Sequence, residues 1–406
     1  MTDTTEAAPG RPGADLDPFD PAHRADPYPV YRRLRERAPV FRTPRGHWLI
    51  SGYHDCSSVF RDPRFGHGTT TLRNNTFRRP VGGRSLPFIL LDPPEHTRLR
   101  SLVSRAFTPR TVAAMGERIQ EIVDGMIDVA LERGRADIIA DLGYPLPATV
   151  ISELLGVPAG DREAIKELSR LVARGVDPDF RHTPEELRRR AEAFTTFDGY
   201  FRELLAHRRR EPADDLLSEL VAVRDGDGRL TEEELLTTCI LLYVAGHETT
   251  MDLIGNGTLA LLRHPDQLAR LRADPGLIAS AVEELLRFDP PTQLSRRTAL
   301  ADAEVGGQAI RAGEQVVLLR GAANRDPAVF PDPDRLDLGR RNNRHLSFDG
   351  GIHFCLGAAL ARLEGQIALG TLVRRVPHLR LAGAELTYRD NLVIRGLAAL
   401  PVLTGR

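Results

Sequence analysis

One segment dictates most of what this chain can become. From Thr231 to His264 the sequence carries helix signals at both ends and no proline between them. Thr231 and Glu234 have the spacing of a capping box, and Pro265 stops the run. At 1.5 Å per residue such a helix is about 50 Å long, enough to cross a whole domain. Between Leu235 and Ala245 it is apolar on most faces, so other elements must bury it. The rod then breaks its own pattern at "AGHETT", where Gly246, His247, Glu248, Thr249 and Thr250 follow one another. Glycine and paired β-branched threonines weaken a helix, and such local conflicts often mark functional sites.

Helix signals dominate elsewhere too. "LDPPEHTRLRSLVSRAFTPR" predicts a helix over about 93–107, with Asp92 as its cap and Pro109 as its stop. "LIASAVEELLRFDPP" predicts another, closed by Asp289-Pro290-Pro291, and a last helix is expected over about 356–373. Short alternating runs after Pro291 read as strands and turns, and the end of the chain reads as strand, turn and strand. No linker or repeat divides the interior. The expectation is therefore a mainly α fold with a smaller β-rich region, one domain over 23–406 behind a disordered tail over 1–22.

With 55 basic and 56 acidic residues the net charge is −1, which gives no global field for nucleic acid or an anionic membrane. Three widely spaced cysteines argue against a disulfide framework and a cysteine-rich zinc site, and fit a reducing cytoplasm. The polar, acidic N-terminal stretch has neither a signal core nor an apolar anchor, so a cytoplasmic chain with no membrane association is expected. Asp225-Gly-Asp-Gly reads as a turn, since a calcium loop aligned on Gly228 would start with Val223.

The chemistry concentrates in "LSFDGGIHFCLGAALARLE", Leu346 to Glu364. Cys355 stands at the mouth of a helix, where backbone N–H groups and the dipole favour a thiolate. Gly350, Gly351 and Gly357 let backbone lie close to something large and flat, which suggests a haem with a thiolate ligand. A lone cysteine acting as a small buried hydrophobe is the alternative. The stretch resembles the haem-binding signature of the cytochrome P450 family, F-G-x-G-x-H-x-C-x-G, at Phe348, Gly351, His353, Cys355 and Gly357; Asp349 departs by replacing the first glycine. "EELLR" is similar to the family's E-x-x-R pair at Glu284 and Arg287, for which Arg335 in "FPDPDRLD" is the expected partner. "AGHETT" is similar to its central-helix motif; a zinc H-E-x-x-H site fails because Met251 stands where the second histidine belongs.

The resemblance implies a haem-thiolate monooxygenase carrying haem b (iron protoporphyrin IX) on Cys355 and drawing electrons from ferredoxin and ferredoxin reductase with NADPH or NADH. It implies cofactor contacts from His96, Arg100, Ala245, Arg297, His353 and Gly357, with Arg296 an alternative to Arg297. Gly246 is expected to let the helix bulge beside dioxygen, Thr249 to hydrogen-bond the oxygen and its waters, and Glu248 to connect them to bulk protons. The substrate is expected to be a mainly apolar small molecule of secondary metabolism, free or bound to a carrier protein, in a pocket drawn from residues 66–90, Leu242, Gly246, Leu294 and Val393. Arg73, Arg78, Arg79 and Arg84 form an acid-free loop that either recognises an anionic substrate group or is simply solvated. Arg98, Arg105, Arg340, Arg341 and Arg344 are expected to present a basic patch to the ferredoxin, and the chain to act as a monomer. The competing readings are peroxide-driven oxidation or rearrangement, and a non-catalytic haem protein.

Overall fold

The computed structural model describes residues 16–68, 85–104, 107–222, 230–383 and 385–405. The arginine-rich loop, Arg105 and the Asp225 turn fall outside them. The helices that build the site are, in chain order, α1 (Glu95–Ser104), α2 (Pro145–Leu154), α3 (Arg162–Ala173), α4 (Pro184–Arg210), α5 (Glu232–Arg263), α6 (Ile278–Phe288) and α7 (Ala358–Arg375). α5 is the expected axis. Its capping box forms in both directions between Thr231 and Glu234, and three glutamates in the first turn complement the helix dipole. α2, α3, α4, α6 and α7 all pack against it. Phe197, Phe201, Leu236 and Tyr243 fill the core on one side, and Leu146, Ile254, Leu259 and Leu372 fill it on another. Each such side chain contributes about 1.5–3 kcal/mol by leaving water.

The β-rich part is a five-stranded sheet built from β1 (Val40–Arg42), β2 (Trp48–Ile50), β3 (Phe65–Gly66), β4 (Leu294–Ala299) and β5 (Gln315–Leu319). Its order is β1-β2-β5-β4-β3, with β2 and β5 parallel and the other pairs antiparallel. Leu294 pairs with Leu319 in the β4–β5 ladder, so Arg320 leaves the sheet beside the start of β4.

Three expectations change. Asp92 does not cap α1; its buried carboxylate accepts from the N–H groups of His67 and Gly68 at 2.7 and 2.8 Å, pinning the end of β3. The first of the two terminal strands does not form. Residues 386–397 make only isolated bridges, and the N–H groups of Leu392 and Val393 are taken by buried Asp177 rather than by a ladder. Of the expected tail, residues 16–22 are described, and Leu16 is buried against the cluster around Tyr28, Val30 and Leu34.

Candidate active site

The loop before Cys355 is shaped from below. The Asn324 side chain binds both the Leu346 N–H and the Ser347 hydroxyl, and that hydroxyl donates to the Leu286 carbonyl at the end of α6. Gly351 lies at φ +62, where a Cβ would stand 2.1 Å from the Phe60 carbonyl oxygen, so only glycine fits. The Cys355 N–H donates to the Phe348 carbonyl at 2.9 Å, and its side chain opens into a cavity. Gly357 faces open space. Cys355 is exposed to this cavity, yet the protein surrounding it pushes its thiol up, against the opposing pull of the Gly357 N–H, Arg320 and Arg100. The helix-mouth donors expected from the sequence are present but outweighed, so deprotonation would fall to a bound cation.

Across the cavity stand Leu242, Ala245, Gly246 and Thr249 of α5. The helix runs unbroken through Gly246, so the expected bulge is absent. Glycine is required for another reason: a Cβ there would come within 2.9 Å of Ile151 on α2. The Thr249 hydroxyl donates to the Ala245 carbonyl at 3.3 Å.

Glu248 points away from that cavity. It is buried, accepts from Arg389 Nη1 at 2.7 Å, and stands 3.6 Å from His247 Nε2. Arg389 also binds Asp252, which is wholly buried one turn further along α5. Asn256, a turn beyond, donates to the Arg395 carbonyl. Glu248, Asp252 and Asn256 thus form an i, i+4, i+8 stripe that docks the terminal loop. Burial raises the Glu248 carboxyl, but His247 and Arg389 outweigh it and hold it at about 2.

A second group gathers beside the cysteine loop. His96 and His353 are packed ring to ring at 4.2 Å, and all four of their ring nitrogens are buried with no hydrogen-bond partner. Burial, then Arg297, pushes His353 down to about 3; burial and Arg100 likewise lower His96. Arg100 donates to the Phe354 carbonyl, while Arg297 reaches Asp349 at 3.3 Å. Leu294 and Val393 line an adjoining cavity with Arg296 and Arg297. Ile89, Thr292, Arg320, Asp349 and His353 border both spaces.

The E-x-x-R pair corrects the sequence reading. Glu284 and Arg287 are wholly buried and bound side by side at 2.7 and 2.8 Å. The arginine that closes on Glu284 is Arg340, whose Nε lies 3.1 Å from both carboxylate oxygens. Arg335 contributes only its backbone carbonyl, accepting from Arg287 and Arg340, while its own side chain is left outside the cluster. The loop turns so that the carbonyl, not the side chain, faces inward. Arg340 therefore leaves the expected basic patch, and Arg98 is paired with Glu234; Arg341 and Arg344 remain exposed.

Comparison with known proteins gives a consistent result. The sequence profile described as "Cytochrome P450" matches residues 29–275 and 276–381. The chain belongs to the cytochrome P450 family. This P450 is 45% identical to the cytochrome P450 monooxygenase PikC of Streptomyces venezuelae, over 98% of this chain and 95% of that one. It is 42% identical to the biotin biosynthesis cytochrome P450 of Bacillus subtilis (strain 168), over 93% and 96%. A crystal structure of P450BioI with an acyl carrier protein bearing hexadec-9Z-enoic acid superposes with a TM-score of 0.88 at 39% identity, covering 94% of this P450 and 99% of that chain. Members of the family hold haem on a cysteine thiolate and depend on redox partners.

The residues of this P450 fit such a group. His96 and His353, held neutral by burial, each keep an N–H donor with no acceptor beside Arg100 and Arg297, as carboxylates at a haem edge require. Among the described residues no helix is long and apolar enough to cross a membrane. Sequence reasoning missed Arg320, Asp252 and Arg389 and gave Arg340 a surface role, since arginines and aspartates are plentiful and only their distant partners single these out. It missed Glu364 too, which borders the cavity and is pushed up to about 8 by burial.

Proposed function

We propose that this P450 is a haem-thiolate monooxygenase that inserts one atom of O2 into a mainly apolar small molecule of secondary metabolism, with Cys355 as the thiolate that would hold haem b. The observation that carries the reading is that Cys355 and the α5 residues Ala245, Gly246 and Thr249 line one cavity, bordered by unpartnered His353, against which unpartnered His96 is packed. Relatives that include a monooxygenase and a 6-deoxyerythronolide B hydroxylase support the same chemistry. Bound haem supplies the redox activation of dioxygen and the insertion chemistry.

The chain's own residues then have separable tasks. His96, Arg100, Arg297 and His353 would hold the cofactor's carboxylates, and Ala245 and Gly357 would leave room for it. Thr249 exchanges its bond to the Ala245 carbonyl for one to a water or oxygen atom in the cavity, and so places a proton there. Glu248 refills that proton. Because Arg389 holds it ionised, it first accepts a proton from outside and loosens from Arg389, then turns inward. Leu242, Gly246, Leu294 and Val393 keep water from the substrate. Ferredoxin and its reductase deliver the electrons to a monomer, across the surface where Arg341 and Arg344 are exposed.

Reduction of the wild type under carbon monoxide should give the strongly red-shifted Soret band of thiolate ligation, and Cys355→Ser should abolish it. A serine variant that keeps the band removes Cys355 as the ligand. A Soret-shift screen of apolar compounds, each offered free and as a carrier-protein thioester, reads out the substrate class.

A further inference from the structure

Where the family signature has its first glycine, this chain has Asp349, and its surroundings show why an acid is accommodated. The residue lies at φ +61, a left-handed conformation that costs most side chains energy and that Asp and Asn tolerate best. Its side chain is largely buried. One carboxylate oxygen accepts from the Ser295 hydroxyl at 2.7 Å and from Arg320 Nη1 at 2.5 Å; the other accepts from Arg297 Nη2 at 3.3 Å. Arg320 is 7% exposed and, among the described residues, otherwise donates only to the carbonyls of Ser347 and Leu294, so Asp349 neutralises a cation that would be costly to bury alone. Both residues border the cavity that Cys355 opens into. One is a cation and the other an anion beside the same cavity, so by Coulomb's law they act with opposite sign on any negative charge at the cysteine sulfur.

We propose that Asp349 and Arg320 form a balanced charge pair that sets the electrostatic field at the cysteine ligand and aims Arg297 at the cofactor's carboxylates, with Asp349 as the positioning residue. The proposal rests on the reading of Cys355 as the haem ligand. Asp349 holds Arg297 Nη2 while the Arg296 carbonyl accepts from Nη1 at 2.8 Å, and together they fix the guanidinium with its other N–H groups left for the cofactor. The same carboxylate cancels most of what Arg320 would do to the thiolate. Removing either member therefore leaves an uncompensated charge beside the ligand, and the two removals must act in opposite directions.

The test uses the haem-loaded enzyme and the variants Asp349→Asn, Arg320→Gln and the double variant. Asparagine keeps the left-handed backbone and the Ser295 contact while deleting only the charge. Ferric–ferrous equilibrium is read against a reference dye, and haem loss by transfer to apomyoglobin. Asp349→Asn should move the equilibrium toward ferrous by roughly three- to tenfold, as expected for one charge near the iron. Arg320→Gln should move it toward ferric, the double variant should return close to wild type, and both single variants should lose haem faster. If Arg320→Gln retains no haem, Arg320→Lys takes its place and should match wild type, since the charge is kept. An unchanged equilibrium in Asp349→Asn, a shifted one in Arg320→Lys, or single variants that move in the same direction would overturn the proposal, because mere loosening has no sign. A wild type without the red-shifted carbonmonoxy band would instead sink the haem-thiolate reading itself.

Discussion

Replacing Arg389 with glutamine isolates the ion cluster beneath the central helix. In the wild type this one guanidinium serves two buried carboxylates, Glu248 and Asp252, whose side chains are 4% and 0% exposed. His247 faces Glu248 from the helix itself, and Arg170 adds a more distant positive charge. Burial alone would raise Glu248; His247 and Arg389 together bring it from an ordinary 4.5 to about 2. At 1.36 kcal/mol per unit that is about 3.4 kcal/mol, shared between the two partners. Breaking a buried pair from one side costs about 3–5 kcal/mol, so Arg389→Gln should destabilise the fold by about 3 kcal/mol at pH 7. The Glu248 contribution to the pH dependence has a definite sign, opposite to that of Asp252, whose carboxyl burial pushes well above its usual value. The stabilisation from Glu248 is complete above about pH 4.5 and is lost as pH falls through about 2, because its folded pKa lies below the unfolded one. In the variant burial dominates, the folded pKa rises, and the deficit at pH 7 should shrink as the pH falls toward 5. Urea unfolding of wild type, Arg389→Gln and Asp252→Asn/Arg389→Gln at both pH values measures this, and the double variant should recover part of the loss. A gap below about 0.5 kcal/mol, the size of an exposed surface pair, or one that widens on acidification would refute the reasoning.

The triad correction predicts that Arg340→Ala costs about 3 kcal/mol in urea unfolding, whereas Arg335→Ala is close to neutral because its carbonyl remains. Gly246→Val should destabilise by about 1–3 kcal/mol through Ile151, and by less in an Ile151→Ala background, as read by thermal unfolding. Thr249→Ala should keep haem and substrate binding while product falls by up to about 10²-fold and peroxide rises. Thr249→Ser should retain coupling and Thr249→Val lose it; the reverse would make the hydroxyl irrelevant. Glu248→Gln should slow NADPH consumption as a whole, because proton supply is throttled rather than misdirected.

The long helix, its capping box, the last helix and the Cys355 loop are all legible in the amino-acid sequence, because periodicity, capping and glycine requirements act over a few residues. The order of the family motifs is legible for the same reason. Partner choice is not. Glu284 lies on a helix whose apolar face announces its burial, yet whether Arg335 or Arg340 closes on it depends on which way one loop turns its carbonyls. Glu248 reads as an acid in a buried helix, but the guanidinium that holds it lies 141 residues further along the chain. Asp92 has the spacing of a helix cap and spends its oxygens on β3 instead, because two N–H groups arrive there from another element. Asp349 reads as a flaw in a glycine signature until Arg297 and Arg320 are brought to it by the β4–β5 sheet. In an arginine-rich chain many guanidinium groups are equivalent along the sequence. Only the packing of distant elements, which decides which of them loses its water beside which carboxylate, makes them different.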